Sequence, residues 1–547
     1  KVRPVEGVPA TVDESAVEKL ILDGQQRLTS LTQVLKLGRA VKTRDEKKRP
    51  IERYYYIDIA KALEGPLDEA FFAVDKTKTL RENFGRDVVL DLSTPELEYA
   101  HFCFPCSQIL NSDEWEAGLH TCNPGRFSEY MQFRTQILGK FRNYDVPVIE
   151  LKKDNRKEAV CLVFEKVNTG GVPLSVFELV TATYAADGVN LRDEWYGRED
   201  AEGIASYLRR QRLLREVQPT EFLQGLSLLH TYDLRNRDLA AGKTGKQVTG
   251  VSAKRESVLG LPLEAYLRLR DRLRDGYVRA AKFLRKESFY STKDLPYRTQ
   301  LVPLACILAL LEDRWQERTV YEKLSRWFWC GVLGELYGGA VETRMALDVP
   351  QVMAWIGGAE DEPATVRDAN FQPGRLDTLW SRNSAAYKGL HVLVQRNGAK
   401  DWFWNTTIRD LDETDWEERR FDIHHVFPKD WCRKHGIDAG RCDSVLNKTP
   451  ISFKANRMIG GRAPSEYLAQ LEGHKSVKLT SEAMDEILRT HFIDPAQLRA
   501  DDFEGFLESR RRLLLAEIEK VMGKVLIATD ELPAIDDDYG EPDEDVA

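Results

Sequence analysis

The chain has 547 residues, of which 42% are hydrophobic and 31% are charged. This length predicts two or three domains, because one hydrophobic core rarely serves more than about 250–300 residues. No apolar run in the given sequence reaches the roughly 18 residues of a membrane-spanning helix, and no charged-then-apolar pattern at its start suggests secretion. We therefore expect a cytoplasmic protein with no membrane partner. Because the chain begins at Lys1 instead of Met, we also expect a truncated N-terminus.

The net charge of −9 is unevenly distributed. Residues 530–547 contain nine acidic residues and no basic one, so the preceding 529 residues balance at 79 basic against 79 acidic. Such a block predicts a solvated, disordered tail, with a DNA-mimicking autoinhibitory tail as the alternative. Residues 419–478 carry 12 Lys or Arg against 6 Asp or Glu, a net charge of +6. That segment is suited to face phosphates.

The N-terminal segment has the pattern of a strand, a turn and a helix. Lys19–Asp23 is a short apolar strand candidate that ends in Asp-Gly, which is a turn signal. The residues after it predict a helix over Gln25–Leu37, because Leu28, Leu31, Val34 and Leu35 fall on one helical face. A turn that opens onto a helix N-terminus offers backbone N–H groups to a phosphate.

Further elements follow in the first 185 residues. Tyr54–Ile59 and Val146–Leu151 are predicted strands, and Lys157–Val167 is predicted to be helical. Ser175, with Glu178 three residues later, forms a capping-box pattern that predicts the start of another helix. We therefore expect an α/β domain here.

Amphipathic helices dominate from about residue 190 to 410. The clearest are Leu261–Phe283, Gln300–Trp315 and Val320–Leu336, which together predict a helical bundle. Two features of this region are interpreted as structural: the cluster Trp327, Phe328 and Trp329 as core, and the arginines as solvated surface, namely Arg209, Arg210, Arg212 and Arg215.

The eight cysteines are scattered, and the only close pair is Cys103 and Cys106. With His101 and Cys122 nearby, this pair is a candidate for zinc. Structural zinc sites usually show two such pairs, or one pair with spaced histidines. We therefore favour reduced thiols over a zinc site.

A constellation for phosphodiester chemistry begins in the strand candidate at 421–428, FDIHHVFP. A metal-dependent nuclease needs a general base, a divalent ion and groups that hold both in place. His425 suits the first task, because the pKa of imidazole lies close to neutrality. Leu446–Ser452 is the returning strand candidate, and Asn456 follows Asn447 by nine residues at the start of a predicted helix.

The order His424-His425-x-x-Pro428, then Asn447, then Asn456 resembles the HNH nuclease motif. The resemblance implies a ββα-metal site in which His425 is the general base, His424 and Asn456 bind the metal, and Asn447 braces the base. His424 replaces the usual acidic ligand, which shifts the expected preference from Mg²⁺ towards Mn²⁺, and Asp422 is a candidate for the missing carboxylate. The predicted phosphate contacts are Lys448, Lys454, Arg457 and Arg462.

These residues also have a purely structural interpretation. The two histidines would then be ordinary strand residues, and the asparagines would be turn formers. Three elements in the right order, with Pro428 three residues after His425 and with basic flanks, favour the nuclease.

A second resemblance is N-terminal. The run Asp23-Gly24-Gln25-Gln26-Arg27 resembles the signature of the GmrSD-type modification-dependent (type IV) restriction endonucleases. The N-terminal domain of that family is similar to the ParB and sulfiredoxin nucleotide-binding fold. A second family signature, beside the nucleotide pocket, is matched by Asn168, Thr169, Gly170 and Gly171, and a weaker match is Tyr337–Asp348.

Together these features predict an α+β multidomain protein. The expected parts are a nucleotide-binding α/β domain over 1–185, a helical linking or sensing region over 186–410, an HNH domain with flanking helices over 411–529 and the acidic tail over 530–547. The resemblances imply an NTP, either GTP or ATP, and a divalent metal, Mg²⁺ or Mn²⁺.

The expected function is an NTP-regulated nuclease that cuts or nicks modified or phage DNA. Two alternatives stay open: a nucleotide-dependent DNA-binding regulator whose HNH fold is inactive, and an NTPase that signals to a partner nuclease. Assembly into a homo-oligomer is also left open.

Overall fold

The computed structural model describes residues 24–44, 49–82, 87–148, 175–185, 187–198, 200–408 and 421–526. Two compact units make up the chain, Lys1–Asp154 and Asn155–Ala547. Both combine helices with small antiparallel sheets, in agreement with the predicted α+β class. Within the described residues, no helix is both long enough and apolar enough to cross a membrane.

The first unit alternates short helices and strands. Its helices are α1 Gln25–Leu35, α2 Ile59–Glu64, α3 Leu67–Ala70, α4 Pro95–His101, α5 Asp113–Cys122, α6 Phe127–Phe133 and α7 Gly139–Arg142. Its strands are β1 Val41–Arg44, β2 Pro50–Asp58, β3 Phe71–Asp75, β4 Thr79–Glu82, β5 Asp87–Asp91 and β6 Cys103–Pro105.

Strand β2 organises the sheet of this unit. One edge of β2 pairs with β3, while the other pairs with β1 near its start and with β6 near its end, all antiparallel. Strands β4 and β5 form a separate antiparallel pair. The sequence of β2 explains its role, because its isoleucines and three consecutive tyrosines favour a half-buried pleated strand.

A buried carboxylate lies inside the first unit. Glu98 accepts hydrogen bonds from the Tyr56 hydroxyl (2.8 Å) and the Trp115 indole (3.2 Å), and Lys78 is 3.2 Å away. The Trp115 ring packs against Phe104, with ring centroids 5.0 Å apart. Aromatic packing and the hydrogen bonds of the Glu98 carboxylate thus join the sheet to α5.

Three sequence predictions fall in or beside this unit. The predicted helix at Gln25 is confirmed as α1, and the strand predicted over Tyr54–Ile59 is confirmed within β2. The strand predicted at Val146–Leu151 is wrong over its described residues 146–148, which form no strand. The predicted elements Lys19–Asp23 and Lys157–Val167 lie outside the described residues.

Cys103 and Cys106 are buried free thiols. Burial raises the pKa of each thiol to about 12, which disfavours the thiolate that binds zinc. Among the described residues, no three His, Cys, Asp or Glu side chains are grouped so that they could hold a metal ion.

The second unit is mainly helical over its described residues between 175 and 408. Its helices there are α8 Val176–Ala185, α9 Leu191–Tyr196, α10 Ile204–Arg209, α11 Pro219–Ala240, α12 Arg255–Leu259, α13 Leu263–Lys286, α14 Leu301–Leu311, α15 Arg318–Leu333, α16 Val341–Ile356, α17 Ala364–Asp368, α18 Arg375–Thr378 and α19 Ala385–Arg396. A two-stranded antiparallel sheet joins β7 Gly197–Arg198 and β8 Ala201–Glu202.

The remainder of this unit carries the predicted nuclease motif. Its elements are β9 Phe421–His425, α20 Lys429–Lys434, α21 Ala439–Asp443, β10 Lys448–Ser452, α22 Phe453–Ile459, α23 Pro464–Glu472, α24 Ser481–Thr490, α25 Pro495–Arg499 and α26 Phe503–Met522.

Most predictions for the helical region are confirmed. The three predicted helices correspond to α13, α14 and α15, with a 3₁₀ turn over Glu312–Gln316 where the second was predicted to continue. Trp327, Phe328 and Trp329 are buried in the core. The Ser175–Glu178 capping box is present, with the Ser175 amide 2.9 Å from the Glu178 carboxylate.

Helices α13 and α14 approach each other closely because of Gly276. A methyl group added at Gly276 would lie only 2.3 Å from the carbonyl oxygen of Ala305. The packing of these two helices therefore needs a residue with no side chain at this position.

A second buried carboxylate lies in α16. Asp348 is fully buried and accepts hydrogen bonds from the Tyr337 hydroxyl and from the Thr365 hydroxyl, the latter at 2.6 Å. Burial raises the pKa of Asp348 to about 6, although these two hydrogen bonds act in the opposite direction. The two ends of the Tyr337–Asp348 segment noted in the sequence are thus joined by a buried hydrogen bond.

Asp348 should make stability depend on pH. Since its pKa in the folded protein is above that of an unfolded carboxyl group, the folded state gains most below about pH 4 and loses this gain as pH rises through about 6. The loss is about 3 kcal/mol of unfolding free energy, at 1.36 kcal/mol per pKa unit. We expect Asp348→Asn to remove this slope in urea unfolding measured from pH 4 to 7.5.

Asp313→Asn is the matched control, because the Asp313 side chain is 87% exposed. Equal pH slopes for the wild type, Asp348→Asn and Asp313→Asn would contradict the assignment.

Candidate functional site

The predicted motif folds as two antiparallel strands followed by a helix. Strand β9 pairs with β10, with His425 opposite Lys448 and His424 opposite Thr449. Helix α22 starts directly after β10 and contains Asn456. The two strands and the helix that the sequence predicts are therefore present.

The start of α22 is fixed by a buried carboxylate. Ser452 caps the helix by accepting a hydrogen bond from the Ala455 amide. The Asp401 carboxylate is fully buried and accepts from both the Ser452 amide (2.7 Å) and the Ser452 hydroxyl (3.0 Å). A carboxylate at a helix N-terminus is also favoured by the helix dipole. Residue Asn456, in the second turn, is thereby held on a defined helix.

His425 is the last residue of β9 and has one strong polar partner. Its Nε2 atom lies 2.7 Å from Oδ1 of Asp443, at the end of α21. The His425 side chain is 19% exposed. Burial lowers the pKa of His425, and the hydrogen bond to Asp443 only partly offsets this effect. The imidazole is therefore mainly neutral near pH 7 and able to accept a proton.

Asp443 is surrounded by positive charge. Its Oδ1 atom is 3.6 Å from Nζ of Lys429 and 3.7 Å from Nζ of Lys448. Burial alone would raise the pKa of Asp443, but the hydrogen bond with His425 and the nearby charges outweigh it and lower the pKa to about 2. The group is therefore a carboxylate at any pH near neutrality.

Asn447 is fully buried and bonds to the backbone. Its Oδ1 accepts from the Phe427 amide (2.8 Å), and its Nδ2 donates to the carbonyls of Phe427 and Cys442, both at 2.9 Å. Phe427 is two residues after His425, and Cys442 immediately precedes Asp443. The side chain thus joins the two segments that carry the histidine and its carboxylate partner.

The helices around the motif hold the segment before β10. The hydroxyl of Ser444 donates to the Leu376 carbonyl (2.9 Å), and the buried Arg510 of α26 donates to the Leu446 carbonyl (2.7 Å). Burial lowers the pKa of Arg510 to about 9. The position of Asp443 is therefore fixed by contacts outside the strand pair.

A buried histidine, His491, is hydrogen-bonded to β10. His491 contacts the Thr449 hydroxyl through Nδ1 and the Lys400 carbonyl through Nε2, both at 2.7 Å. Burial lowers the pKa of His491 to about 3, so this ring stays neutral. Since Thr449 pairs with His424 across the ladder, His491 stabilises the strand beside the predicted metal ligand.

The predicted metal ligands are His424 on β9 and Asn456 on α22, two elements that pack together. They offer one imidazole nitrogen and one amide oxygen, both neutral donors. Asp422, the candidate for an additional carboxylate, is paired with Arg382 at 3.0 Å and accepts from the Ile423 amide. This donor set suits Mn²⁺ or a later transition ion better than Mg²⁺.

The four predicted phosphate contacts are in two different environments. Lys454, Arg457 and Arg462 are exposed on or near α22. Lys448 is buried and faces Asp443, and burial lowers the pKa of its ammonium group. Only the first three are presented to an approaching polyanion.

The N-terminal motif is described in part. Gly24 adopts a left-handed backbone conformation (φ 79°), which favours glycine, and begins α1, where no side chain caps the helix. Gln25, Gln26 and Arg27 are exposed in the first turn. Residue Asp23 and the second motif, Asn168, Thr169, Gly170 and Gly171, lie outside the described residues.

The sequence interpretation missed three residues of the site: Asp443, Lys429 and Arg382. The first was detectable in principle, because it is an acidic residue within a basic segment, four positions before Asn447. Its proximity to His425, 18 positions earlier in the chain, depends on the fold of the connecting segment and has no local sequence signal.

Comparisons with known proteins agree with the N-terminal resemblance. Residues 8–185 match the family described as GmrSD restriction endonuclease, N-terminal domain. An uncharacterized protein of Methanocaldococcus jannaschii is 26% identical over 534 residues, which is 91% of this chain and 84% of that protein. The N-terminal part of this chain is therefore similar to the N-terminal domain of the GmrSD restriction endonucleases.

Proposed function

We propose that this protein is a metal-dependent DNA endonuclease of the HNH type, controlled by an NTP and directed against modified or foreign DNA. The observation that carries the proposal is the His425 imidazole, 2.7 Å from the carboxylate of Asp443, at the end of a strand that pairs with β10 and packs on α22. The match of residues 8–185 to the GmrSD N-terminal domain supports a role in restriction and phage defence.

The chemistry of the site suits phosphodiester hydrolysis. A neutral imidazole accepts a proton from water, and a general base of this kind contributes about 10²–10⁴-fold to the rate. His424 and Asn456 are the residues that would hold a divalent ion. When bound, such an ion stabilises the negative charge that develops on the phosphate and on the leaving oxygen.

The exposed cations on and near α22 suit the DNA backbone. Lys454, Arg457 and Arg462 lie on the same part of the chain as Asn456 and belong to the segment of net charge +6. Contacts of this kind position the duplex and carry no sequence information. They agree with a nuclease whose choice of DNA is made elsewhere in the protein.

The proposed role of α1 is NTP binding. A helix N-terminus preceded by a left-handed glycine can direct backbone N–H groups to a phosphate, and Arg27 adds a bidentate donor one turn in. The identity of the nucleotide, GTP or ATP, is not specified by these residues.

One observation favours a second candidate, a nucleotide-dependent DNA-binding regulator with an inactive HNH fold. His424 stands where the motif has an acid, and no three-residue metal cluster of His, Cys, Asp or Glu is found among the described residues. Nicking of supercoiled plasmid DNA with Mn²⁺ or Mg²⁺ separates the two functions. Intact plasmid under all metal and nucleotide conditions would favour the regulator.

His425→Ala should abolish cleavage without loss of the fold. We expect the rate of plasmid nicking to fall by about 10²–10⁴-fold, because the general base is removed. His435→Ala is the matched control, since His435 is exposed at the end of α20. Wild-type nicking by purified His425→Ala would rule out this residue as the base.

His424→Ala should instead change the dependence on metal. We expect the Mn²⁺ concentration for half-maximal nicking to rise by at least about tenfold. The reason is that loss of a residue that only supports a metal ligand already lowers metal affinity by about tenfold or more. A metal titration of nicking, with His435→Ala in parallel, measures this. An unchanged midpoint would remove His424 from the set of metal ligands.

Arg27→Ala should weaken NTP binding and spare the metal-dependent site. Loss of a charged hydrogen bond of about 1.5–3 kcal/mol corresponds to about 10–100-fold in affinity. Calorimetric titration with GTP and ATP provides the measurement. Lys36→Ala, an exposed cation just after α1, is the control. Equal affinities for all three proteins would exclude a role for Arg27.

A further inference from the structure

One carboxylate oxygen in the candidate site collects three contacts from basic side chains. Oδ1 of Asp443 lies 2.7 Å from Nε2 of His425, 3.6 Å from Nζ of Lys429 and 3.7 Å from Nζ of Lys448. Each partner comes from a different element: β9, α20 and β10. Because three basic groups from three elements contact one carboxylate oxygen, the arrangement differs from an isolated surface ion pair, which joins only two side chains.

Two separate hydrogen-bonded restraints, one on each side of Asp443 in the chain, hold its carboxylate beside His425. Its neighbour Cys442 is bonded through its carbonyl to the buried Asn447, which also holds Phe427. On the other side, Ser444 is bonded to the Leu376 carbonyl. The carboxylate is therefore held from both chain directions, and the distance to His425 does not depend on a free loop.

The charge of Asp443 determines which ring nitrogen carries the proton. A carboxylate between two ammonium groups stays ionised and can only accept hydrogen bonds. In a neutral imidazole, the nitrogen that faces such an acceptor must carry the hydrogen. Nε2 of His425 is thus the N–H, and Nδ1 keeps the free lone pair.

We infer that Asp443 is a positioning residue for His425: it holds the ring and fixes the proton on Nε2, so that Nδ1 is the atom that accepts a proton. This inference rests on the proposed nuclease function. In the hydrolysis, one O–H bond of water breaks and its proton passes to Nδ1. The water oxygen forms the new bond to phosphorus, the bond from phosphorus to the leaving oxygen breaks, and that oxygen takes a proton from solvent.

This role differs from that of Asn447. Among the described residues, the Asn447 side chain bonds to backbone groups of Phe427 and Cys442 and to the Cys442 sulfur, and not to the imidazole. Asn447 aligns the two segments, whereas Asp443 touches the base directly. Loss of either should misplace His425, but only loss of Asp443 should change the tautomer.

The test uses the full-length protein with ¹⁵N-labelled histidine rings. The chain has 9 histidines, and His425→Gln assigns the signal of interest. The variants are Asp443→Asn, which keeps the shape and removes the charge, and Asp443→Glu, which keeps the carboxylate. Asp430→Asn is the control, because Asp430 is an exposed acid in the same connection and pairs with Arg433.

In the wild type and in Asp430→Asn, we expect the His425 ring shifts of a protonated Nε2 and an unprotonated Nδ1. In Asp443→Asn, we expect averaged shifts of mixed tautomers, and in Asp443→Glu a partial return to the wild-type pattern. The same nitrogen shifts in Asp443→Asn and wild type would overturn the inference.

Plasmid nicking by the same proteins tests the catalytic consequence. We expect kcat of Asp443→Asn to fall about 10–100-fold, as for other residues that orient a catalytic group, with KM for DNA unchanged or lower, and Asp443→Glu to recover part of kcat. A wild-type kcat in Asp443→Asn would contradict a positioning role. No nicking by wild-type protein would instead reject the nuclease function, while the nitrogen shifts would still decide whether Asp443 fixes the tautomer.

Discussion

The buried amide of Asn447 is the constraint on which the candidate site depends. Its three hydrogen bonds to backbone groups join the end of β9 to the segment that precedes β10. Leaving those backbone groups unpaired in the interior would cost about 1–3 kcal/mol each. An aliphatic residue of similar size at this position would preserve the packing but would remove one of the restraints that hold Asp443 beside His425.

Other buried polar groups extend this constraint into the helical part of the second unit. Asp401 fixes the start of α22, His491 supports β10, and Arg510 holds the turn before β10. Each bonds to backbone atoms or to a hydroxyl of the strand–strand–helix motif, and each is at most 1% exposed. A two-stranded sheet alone is marginally stable, so the flanking helices are part of the site and not only neighbours of it.

The sequence was sufficient to predict the local elements but not the contacts between them. Strand β9, strand β10 and the helix of Asn456 were all predicted, because apolar alternation and spacing are local signals. The strand at Val146 failed over its described residues, since a short apolar run carries little information about its partners. Asp443 was missed for a related reason: its partner is 18 residues away, and only the folded connection brings them together.

The basic residues of the 419–478 segment have two different roles, which composition alone cannot distinguish. Lys429 is exposed and Lys448 is buried, but both lie beside Asp443 and balance its charge, so they act on the orientation of His425. Lys454, Arg457 and Arg462 face solvent and are free of such a task in the geometry of the site. Lys429 and Lys448 are partly neutralised by the carboxylate of Asp443, whereas the other three cations are screened mainly by salt. The affinity for DNA should therefore depend on Lys454, Arg457 and Arg462, and the orientation of the base on Lys429 and Lys448.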